Sequence, residues 1–294
     1  MPGATLDQKN KTFTVSQSWL GTYLRCPSLA GRELRDEVPL TETDATALGT
    51  AWHLYAELRA LGYPEHEALH KAQGEMNALV SLEHFRFVQI KTVGTMELKL
   101  QTLARLFEER IMPQLGTDPL LEHTFNAPLT THEGWEIRLK GTVDRVDNVW
   151  GLIDYKTAGR IGPGTPWDKF SLKYKIQADA YTYASTMDET MRDYLKHTTA
   201  TEAVDFTWIV ATKSTVPELI WPNVTKTIAD WVWLKQIGAN ALESALADVW
   251  AVSHTTPLCS PKWCGAWGDC RGAESSPVKL ADFPYDPADD HAWS

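Results

Sequence analysis

Residues 141–157 read GTVDRVDNVWGLIDYKT. Two of their carboxylates and their one lysine are spaced so that the three side chains could meet at one site. Polar and apolar residues alternate from 135 to 146, which predicts a β-strand. A turn is expected near Asn148, and the short apolar run from Gly151 predicts a second strand that pairs with the first. The segment is therefore expected to be a β-hairpin that carries charged residues at one edge of a sheet.

Asp144, Asp154 and Lys156 are the residues of this hairpin that could do chemistry. Side chains alternate between the faces of a strand, so Asp154 and Lys156 point the same way, and strand pairing brings Asp144 beside Asp154. Carboxylate oxygens suit Mg²⁺ or Mn²⁺, and a lysine beside the metal can orient or deprotonate a water that attacks a phosphate. The alternative is a hairpin with a surface Asp–Lys pair of little energetic value.

The bulk composition limits the classes of function. The chain has 294 residues, 43% of them hydrophobic, and 13 Trp, which is enough for a sizeable core in one large domain or two small ones. The net charge of −10 argues against a protein that holds nucleic acid by overall positive charge, but it allows a local basic track. We find no apolar run that could span a bilayer and no signal peptide, so a cytoplasmic protein without a membrane partner is expected.

Hydrophobic periodicity predicts helices before the hairpin and a mixture of helices and strands after it. Ser16 or Ser18 can cap an early helix, whose pattern is broken at Cys26 and Pro27. The other expected elements are helices at 44–62, 66–80, 94–115, 174–197 and 228–250, strands at 120–129, 205–211 and 218–221, and a loop at 161–167.

Several polar residues outside the hairpin could serve the same site. Gln177 and Tyr181 lie one helical turn apart and could bond a base, a sugar or a water-bound ligand, or could form a helix surface with a packed Tyr. His53 is either a ligand or a packed or surface residue, and Glu122 points either towards the metal or towards solvent. Basic residues after the hairpin could line a DNA track or belong to a solvated loop: Arg160, Lys169, Lys173 and Lys175.

The four cysteines divide into three near one end of the chain, Cys259, Cys264 and Cys270, and Cys26 near the other. Four thiolates can hold Zn²⁺ or a [4Fe–4S] cluster. Zinc sites more often use two close pairs, so the three-plus-one arrangement favours the iron–sulfur cluster. The alternative is a set of unligated cysteines in a turn-rich segment.

In their order along the chain these residues resemble the PD-(D/E)xK nuclease superfamily, and specifically its RecB-like exonuclease branch, which includes stand-alone phage exonucleases. The similarity extends from Ser16 to about Cys270. The matching positions are Ser18, Tyr23 and Cys26-Pro27, the Gly-to-His motif at 49–53, GxxD at 141–144, DYKT at 154–157 and QxxxY at 177–181. In the iron–sulfur members of this family four cysteines flank the nuclease core, as they do here.

The resemblance implies an α/β fold in which helices flank a mixed central sheet, with an added helical region. It implies a single nuclease domain over residues 14–272, with a helical insertion at about 44–115 and a cysteine segment at 259–270. Residues 1–13 and 273–294 are then expected to be terminal tails.

The resemblance also implies roles for individual residues. The metal would be held by His53, Asp144, Asp154 and the backbone carbonyl of Tyr155. Lys156 would orient or activate the attacking water. Gln177 and Tyr181 would steady Lys156 or the DNA strand.

The implied activity is hydrolysis of DNA phosphodiester bonds by an exonuclease that acts on ends or single strands in recombination or repair. The implied cofactors are Mg²⁺ or Mn²⁺ and a [4Fe–4S] cluster, with Zn²⁺ as the alternative at the cysteines. The sequence contains no GxxxxGK[ST] loop, so unwinding would need a helicase partner, and a single-strand annealing or recombinase protein is a further expected partner. A phage-encoded protein of this kind would act in the host cytoplasm. The alternative function is a catalytically idle nuclease fold that binds DNA or assembles with partners, with the cysteines as a structural staple.

Overall fold

The computed structural model describes residues 3–38, 42–168, 175–198, 201–252 and 270. In these ranges the strands are β1 (Ala4–Asp7), β2 (Thr12–Ser16), β3 (Glu42–Thr43), β4 (Phe85–Arg86), β5 (Leu120–His132), β6 (Trp135–Asp147), β7 (Gly151–Ala158), β8 (Ala203–Thr212), β9 (Leu219–Ile220) and β10 (Asn223–Thr227). The α-helices are α1 (Gln17–Arg25), α2 (Pro27–Leu34), α3 (Asp44–Ala60), α4 (Glu65–Val80), α5 (Val93–Leu106), α6 (Ile176–Met187), α7 (Glu189–Leu195) and α8 (Ile228–Ala247).

Strand β6 organises the main sheet because it is long enough to pair with three neighbours. One edge pairs antiparallel with β5 along nearly its whole length. The other edge is shared by β2, which runs parallel to residues 136–140, and by β7, which runs antiparallel to residues 145–147. Residues 141–144 lie between these two partners, so the sheet opens at the GxxD motif.

Strand β7 continues the sheet through a parallel pairing with β8, and β8 pairs antiparallel with β9 and β10. Both directions therefore occur in one sheet. Alternate residues of β7 and β8 enter different apolar layers: Leu152 and Trp208 face α1, α6 and α8, whereas Ile153 and Ile209 face α3, α4 and α5. The predicted α/β architecture, a mixed sheet between helices, is confirmed.

The predicted hairpin of residues 135–157 is present as β6 and β7, with a turn at residues 148–150. Glycine is suited to position 151, where the backbone has a φ of +69°. The burial of Leu152 and Ile153 on opposite faces shows why this run is continuously apolar: both faces of β7 are covered.

Two of the predicted helices differ from the structure. The helix expected at 174–197 is divided at Asp188, whose side chain accepts a hydrogen bond from Met191 N at 3.0 Å and so caps α7. The helix expected at 94–115 is α-helical only to Leu106, and continues as a π-turn (Phe107–Ile111) and a 3₁₀ turn (Met112–Gln114).

The expectation that residues 1–13 form a tail is wrong for the residues that the structure describes. Ala4–Asp7 is strand β1, and it pairs antiparallel with β2. Phe13 and Val15 of β2 are fully buried, and each large apolar side chain placed in the core contributes about 1.5–3 kcal/mol. Alternation over only a few residues of a polar segment was too weak a signal to predict this hairpin. None of the helices in the described ranges is both long and apolar enough to cross a membrane.

Candidate active site

The candidate site lies where the backbone pairing of β6 and β7 ends, at Arg145 and Ile153. Beyond this point the Tyr155 amide donates its hydrogen bond to a side chain, Asp144 Oδ2, at 2.9 Å. The side chain of Asp144 therefore takes the place of a backbone acceptor. This contact holds Asp144 of β6 beside the middle of β7.

Asp154 and Lys156 project from β7 on the same face and form an ion pair, with Lys156 Nζ 2.5 Å from Asp154 Oδ2. Oδ2 is buried, and apart from this ion pair it has no hydrogen-bond partner of good geometry. The other oxygen, Oδ1, accepts a hydrogen bond from Gln177 Nε2 at 2.7 Å. Lys156 Nζ also donates to the carbonyl of Tyr155 at 3.3 Å. The carboxylate of Asp154 is thus fixed from two sides.

Helix α3 brings His53 to the opposite side of β7. The helix begins at a capping box of Thr43 and Thr46, and it buries Trp52 against the Tyr155 ring at 5.7 Å between centroids. The neighbouring His53 then reaches the strand: Nε2 lies 2.5 Å from the Tyr155 carbonyl oxygen, and Nδ1 lies 3.4 Å from Asp144 Oδ2. Both ring nitrogens therefore face groups that the sequence predicts as metal ligands.

Burial and charge shift the acid–base properties of the pair on β7. Burial raises the pKa of Asp154 to about 6, while Lys156 opposes the shift and Asp144 adds to it. Burial alone would lower the pKa of Lys156. The negative charges of Asp154 and Asp144 together have the larger effect, so the pKa of Lys156 is raised. At neutral pH the site therefore holds an ionised carboxylate and an ammonium.

Tyr181 supports the site from within the core. Its ring is 4% exposed and packs edge-on against Phe125 at 5.8 Å between centroids. Burial, with the nearby charges of Asp154 and Asp144, raises the pKa of its hydroxyl. A Cβ on Gly141 would come within 2.8 Å of the Phe125 ring and 3.3 Å of Tyr181, which explains why the GxxD motif begins with glycine here.

An acidic cavity of about 350 Å³ adjoins His53, and Glu122 and Glu57 line it. Glu122 lies on β5 between residues that pair with Arg145 and Val143, so it stands opposite Asp144. Its φ is +44°, in the left-handed region, although it is part of a strand. Part of Glu122 is exposed to solvent, and desolvation of the rest, with the charges of Asp144 and Glu57, raises its pKa to about 7. Glu122 therefore faces the candidate site, which the sequence alone leaves undecided.

The donor set fits a hard divalent cation in its chemistry. It consists of carboxylate oxygens, a backbone carbonyl and an imidazole, and it contains a buried carboxylate oxygen that lacks a hydrogen-bond partner of good geometry. Within the described residues, however, no three His, Cys, Asp or Glu side chains have the arrangement of a metal site. Lys156, Gln177 and the Tyr155 amide hold the carboxylates instead, so the predicted ligands are neighbours rather than a completed cage.

The remaining predicted residues have different positions. Gln177 contacts Asp154, whereas the sequence reading places it beside Lys156 or the DNA. Lys175 precedes α6 with its Nζ 4.2 Å from the centre of the Trp167 ring, and burial, together with Lys156, lowers its pKa. Arg160 is exposed just after β7. The predicted DNA contacts Lys169 and Lys173 lie outside the described residues.

Of the four predicted cluster cysteines, the structure describes two. Cys26 joins α1 to α2 and is half-buried, as is Cys270, whereas Cys259 and Cys264 lie outside the described residues. The chain after α8 returns to this region: Ser28 N donates to the carbonyl of Ala251 at 3.0 Å. This contact places Ala251 near Cys26, at the start of α2.

Trp208 is a residue of the site that sequence reasoning missed. It lies in an apolar strand, and the run DFTWIVA indicates only burial. In the structure its indole Nε1 donates to Gln177 Oε1 at 3.0 Å. No local pattern could have shown this contact, because β8 and α6 meet only through the tertiary fold.

Comparison with solved structures supports the fold. The chain resembles the crystal structure of a provisionally named exonuclease from Eubacterium rectale, with a TM-score of 0.52 and 15% sequence identity over 83% of this chain and 86% of the other. A second crystal structure, of SSO0001, is 12% identical over 79% of this chain and 83% of the other, and its TM-score of 0.29 is too low to support an argument. No curated protein has significant sequence similarity to the chain.

The family comparison covers most of the sequence. A model of the PD-(D/E)XK nuclease superfamily matches residues 14–271, a range that contains both strands of the hairpin and every residue of the candidate site. The mixed sheet, the open edge at the GxxD motif and the Asp–Lys pair on β7 agree with that match. The chain therefore belongs to the PD-(D/E)XK nuclease superfamily.

Proposed function

We propose that this chain is a Mg²⁺- or Mn²⁺-dependent deoxyribonuclease that acts as an exonuclease on DNA ends or single strands. The observation that carries the proposal is the convergence of Asp144, Asp154 and Lys156 at the open edge of the sheet. Family membership supports phosphodiester hydrolysis. The fold neighbour that is provisionally named an exonuclease favours the finer assignment.

The proposal assigns roles to six residues or groups of the site and to two nearby basic residues: His53, Asp144, Asp154, the Tyr155 carbonyl, Lys156 and Gln177, with Arg160 and Lys175. His53, Asp144, Asp154 and the Tyr155 carbonyl would hold the metal, which when bound supplies positive charge to stabilise the phosphate. Lys156, an ammonium at neutral pH, would leave its ion pair with Asp154 Oδ2 and orient the attacking water by donating a hydrogen bond to its oxygen. Gln177 would keep the Asp154 carboxylate in place through Oδ1. Arg160 and Lys175 would hold the phosphates of the incoming strand.

The test is incubation of the purified chain with linear duplex, circular and single-stranded DNA in the presence of Mg²⁺ or Mn²⁺. Cleavage of linear but not circular DNA is expected, and Asp154→Ala and Lys156→Ala should each abolish it. Asp193→Ala and Lys9→Ala are matched controls because both side chains are exposed and lie outside the site. Wild-type rates in Asp154→Ala would show that the site has been assigned wrongly.

A catalytically idle nuclease fold that binds DNA is the second candidate. The observation that favours it is the closed Lys156–Asp154 ion pair, together with the lack of a completed metal cage among the described residues. The same assay separates the two candidates. DNA binding by the wild-type protein without any metal-dependent cleavage would support the idle fold.

We also propose that Cys26, Cys259, Cys264 and Cys270 hold a [4Fe–4S] cluster, with Zn²⁺ as the alternative. The return of Ala251 to the start of α2 supports a link between the two ends of the chain. Anaerobic purification with iron, sulfide and zinc analysis tests the proposal, and Cys26→Ser should lose the metal. A helicase or recombinase partner and a role in DNA recombination or repair in the cytoplasm belong to the same proposal, and pull-down with such proteins tests the partnership.

A further inference from the structure

Trp208 lies directly opposite Asp154 in the register of the parallel strands β7 and β8. Neighbouring residues in register project from the same face of a sheet, so both point towards α6. Trp208 is fully buried, and its ring packs edge-on against Phe206 at 4.7 Å between centroids. The orientation of the indole is therefore set by packing, independently of any ligand.

Gln177 on α6 bridges these two residues. Its Oε1 accepts from Trp208 Nε1 at 3.0 Å, and its Nε2 donates to Asp154 Oδ1 at 2.7 Å. An indole nitrogen can only donate, and an ionised carboxylate can only accept. A reversed amide would place two donors together at Trp208 and two acceptors together at Asp154. The indole therefore selects one of the two possible orientations of the amide.

We propose that Trp208 is a positioning residue of the nuclease site, which acts by holding the Gln177 amide with its NH₂ group towards Asp154. This proposal rests on the proposed function. The effect on Asp154 is to fix Oδ1, so that Oδ2 is the oxygen that faces Lys156. Without the indole donor the amide can rotate, and the Asp154 carboxylate is then held at Oδ2 by Lys156 but no longer at Oδ1.

Trp231 provides a matched control for this role. Its indole Nε1 donates to Thr182 Oγ1 on the same helix α6, also at 3.0 Å, and its side chain is 6% exposed. Trp231→Phe therefore removes an equivalent buried bond to α6 that has no contact with Asp154. Loss of packing and loss of an indole bond are common to both variants, whereas the effect on Gln177 belongs to Trp208→Phe alone.

A double-mutant cycle on the full chain separates positioning from packing. Trp208→Phe is expected to lower kcat for Mn²⁺-dependent cleavage of linear DNA by about tenfold, the lower limit for residues that orient a metal ligand. In a Gln177→Met background the same change should have no further effect, and Trp231→Phe should stay within about twofold of wild type. If Trp208→Phe lowers kcat by the same factor in both backgrounds, Trp208 acts through packing and the inference is wrong.

A second measurement does not depend on activity or on a folded Trp208 variant. In protein with ¹⁵N-labelled tryptophan, the indole N–H signal of Trp208 should move when Gln177→Met removes its acceptor, and that of Trp231 should not. An unmoved Trp208 signal would overturn the inference. If the wild-type protein cleaves no DNA with either metal, the proposed function fails, and the indole signals still decide whether Trp208 donates its hydrogen bond to Gln177.

Discussion

Asp144 and the backbone of Tyr155 form a hydrogen bond, 2.9 Å from Tyr155 N to Asp144 Oδ2, that joins β6 to β7 beyond the point where their backbone pairing ends. The bond has two consequences. It satisfies an amide in a residue that is only 3% exposed, and it places a carboxylate beside His53 and the Asp154–Lys156 pair. The Asp144 side chain therefore contributes both to the stability of the fold and to the candidate active site.

Substitution of Asp144 should separate these two contributions. In Asp144→Asn the amide oxygen can still accept from Tyr155 N–H, so the free energy of unfolding should stay within about 1 kcal/mol of wild type. The negative charge is lost, so DNA cleavage should fall by more than about 100-fold. Asp144→Ala should lose about 1–3 kcal/mol as well, because the buried amide has no acceptor. Urea denaturation and a nuclease assay measure the two effects, and full activity in Asp144→Asn would contradict the assignment.

Gly141→Ala should destabilise the protein and weaken the site. The new Cβ would lie 2.8 Å from the Phe125 ring and 3.3 Å from Tyr181, and overpacking of this kind costs about 1–3 kcal/mol. Gly74→Ala is the control: Gly74 lies within α4 and a Cβ there meets nothing within 4 Å, so this variant should gain about 1 kcal/mol. Thermal melting of both variants tests the contrast, and equal melting temperatures would refute it.

Glu122→Asn should raise stability and lower activity. Asparagine tolerates a φ of +44° better than glutamate, and the change removes a carboxylate opposite Asp144. A backbone in the left-handed region and a carboxylate close to that of Asp144 are both unfavourable, and their presence at Glu122 indicates that this residue has a role in the site. Glu133→Asn is the matched control, because Glu133 has a φ of +48° in the turn between β5 and β6 and lies outside the site. Both variants should melt at a higher temperature, and only Glu122→Asn should cleave DNA more slowly. If Glu122→Asn cleaves DNA at the wild-type rate, Glu122 does not contribute to catalysis.

Asp179 should make stability depend on pH. Burial raises its pKa from 3.8 to about 6, although Lys226 Nζ lies 2.7 Å from Oδ1 and opposes the shift. At a pH between 3.8 and about 6, Asp179 is mostly protonated in the folded protein and mostly ionised in the unfolded chain. The free energy of unfolding should therefore fall as the pH rises from about 4 to 6, relative to Asp179→Asn, which cannot titrate.

Urea denaturation of wild type and Asp179→Asn at several pH values between about 4 and 7 measures this dependence. Asp193→Asn is the control because its side chain is 71% exposed, and its difference from wild type should not vary with pH. A constant difference between wild type and Asp179→Asn would show that Asp179 titrates normally in the folded protein.

The elements near the site could be predicted to within a few residues because their signals are local. Alternation marked β6, the apolar run marked β7, and Asp154 and Lys156 followed from the two-residue period of a strand. The break at Asp188 was missed because the helical spacing of apolar residues gives no sign of it. The Asp188 side chain caps α7 only because the backbone there places Met191 N within reach. Strand β1 was missed because its four residues carry little pattern.

The sequence by itself determined which chemical groups are available, their order, the α/β architecture and the superfamily. The tertiary structure decided which groups touch: that Gln177 bonds Asp154, that Trp208 donates to Gln177, and that Glu122 stands opposite Asp144. The physical reason is the range of the interactions. Periodicity can be recognised within a few residues of the sequence. These contacts depend instead on the register of strands and on a helix packed across them, which are set by burial of the whole core.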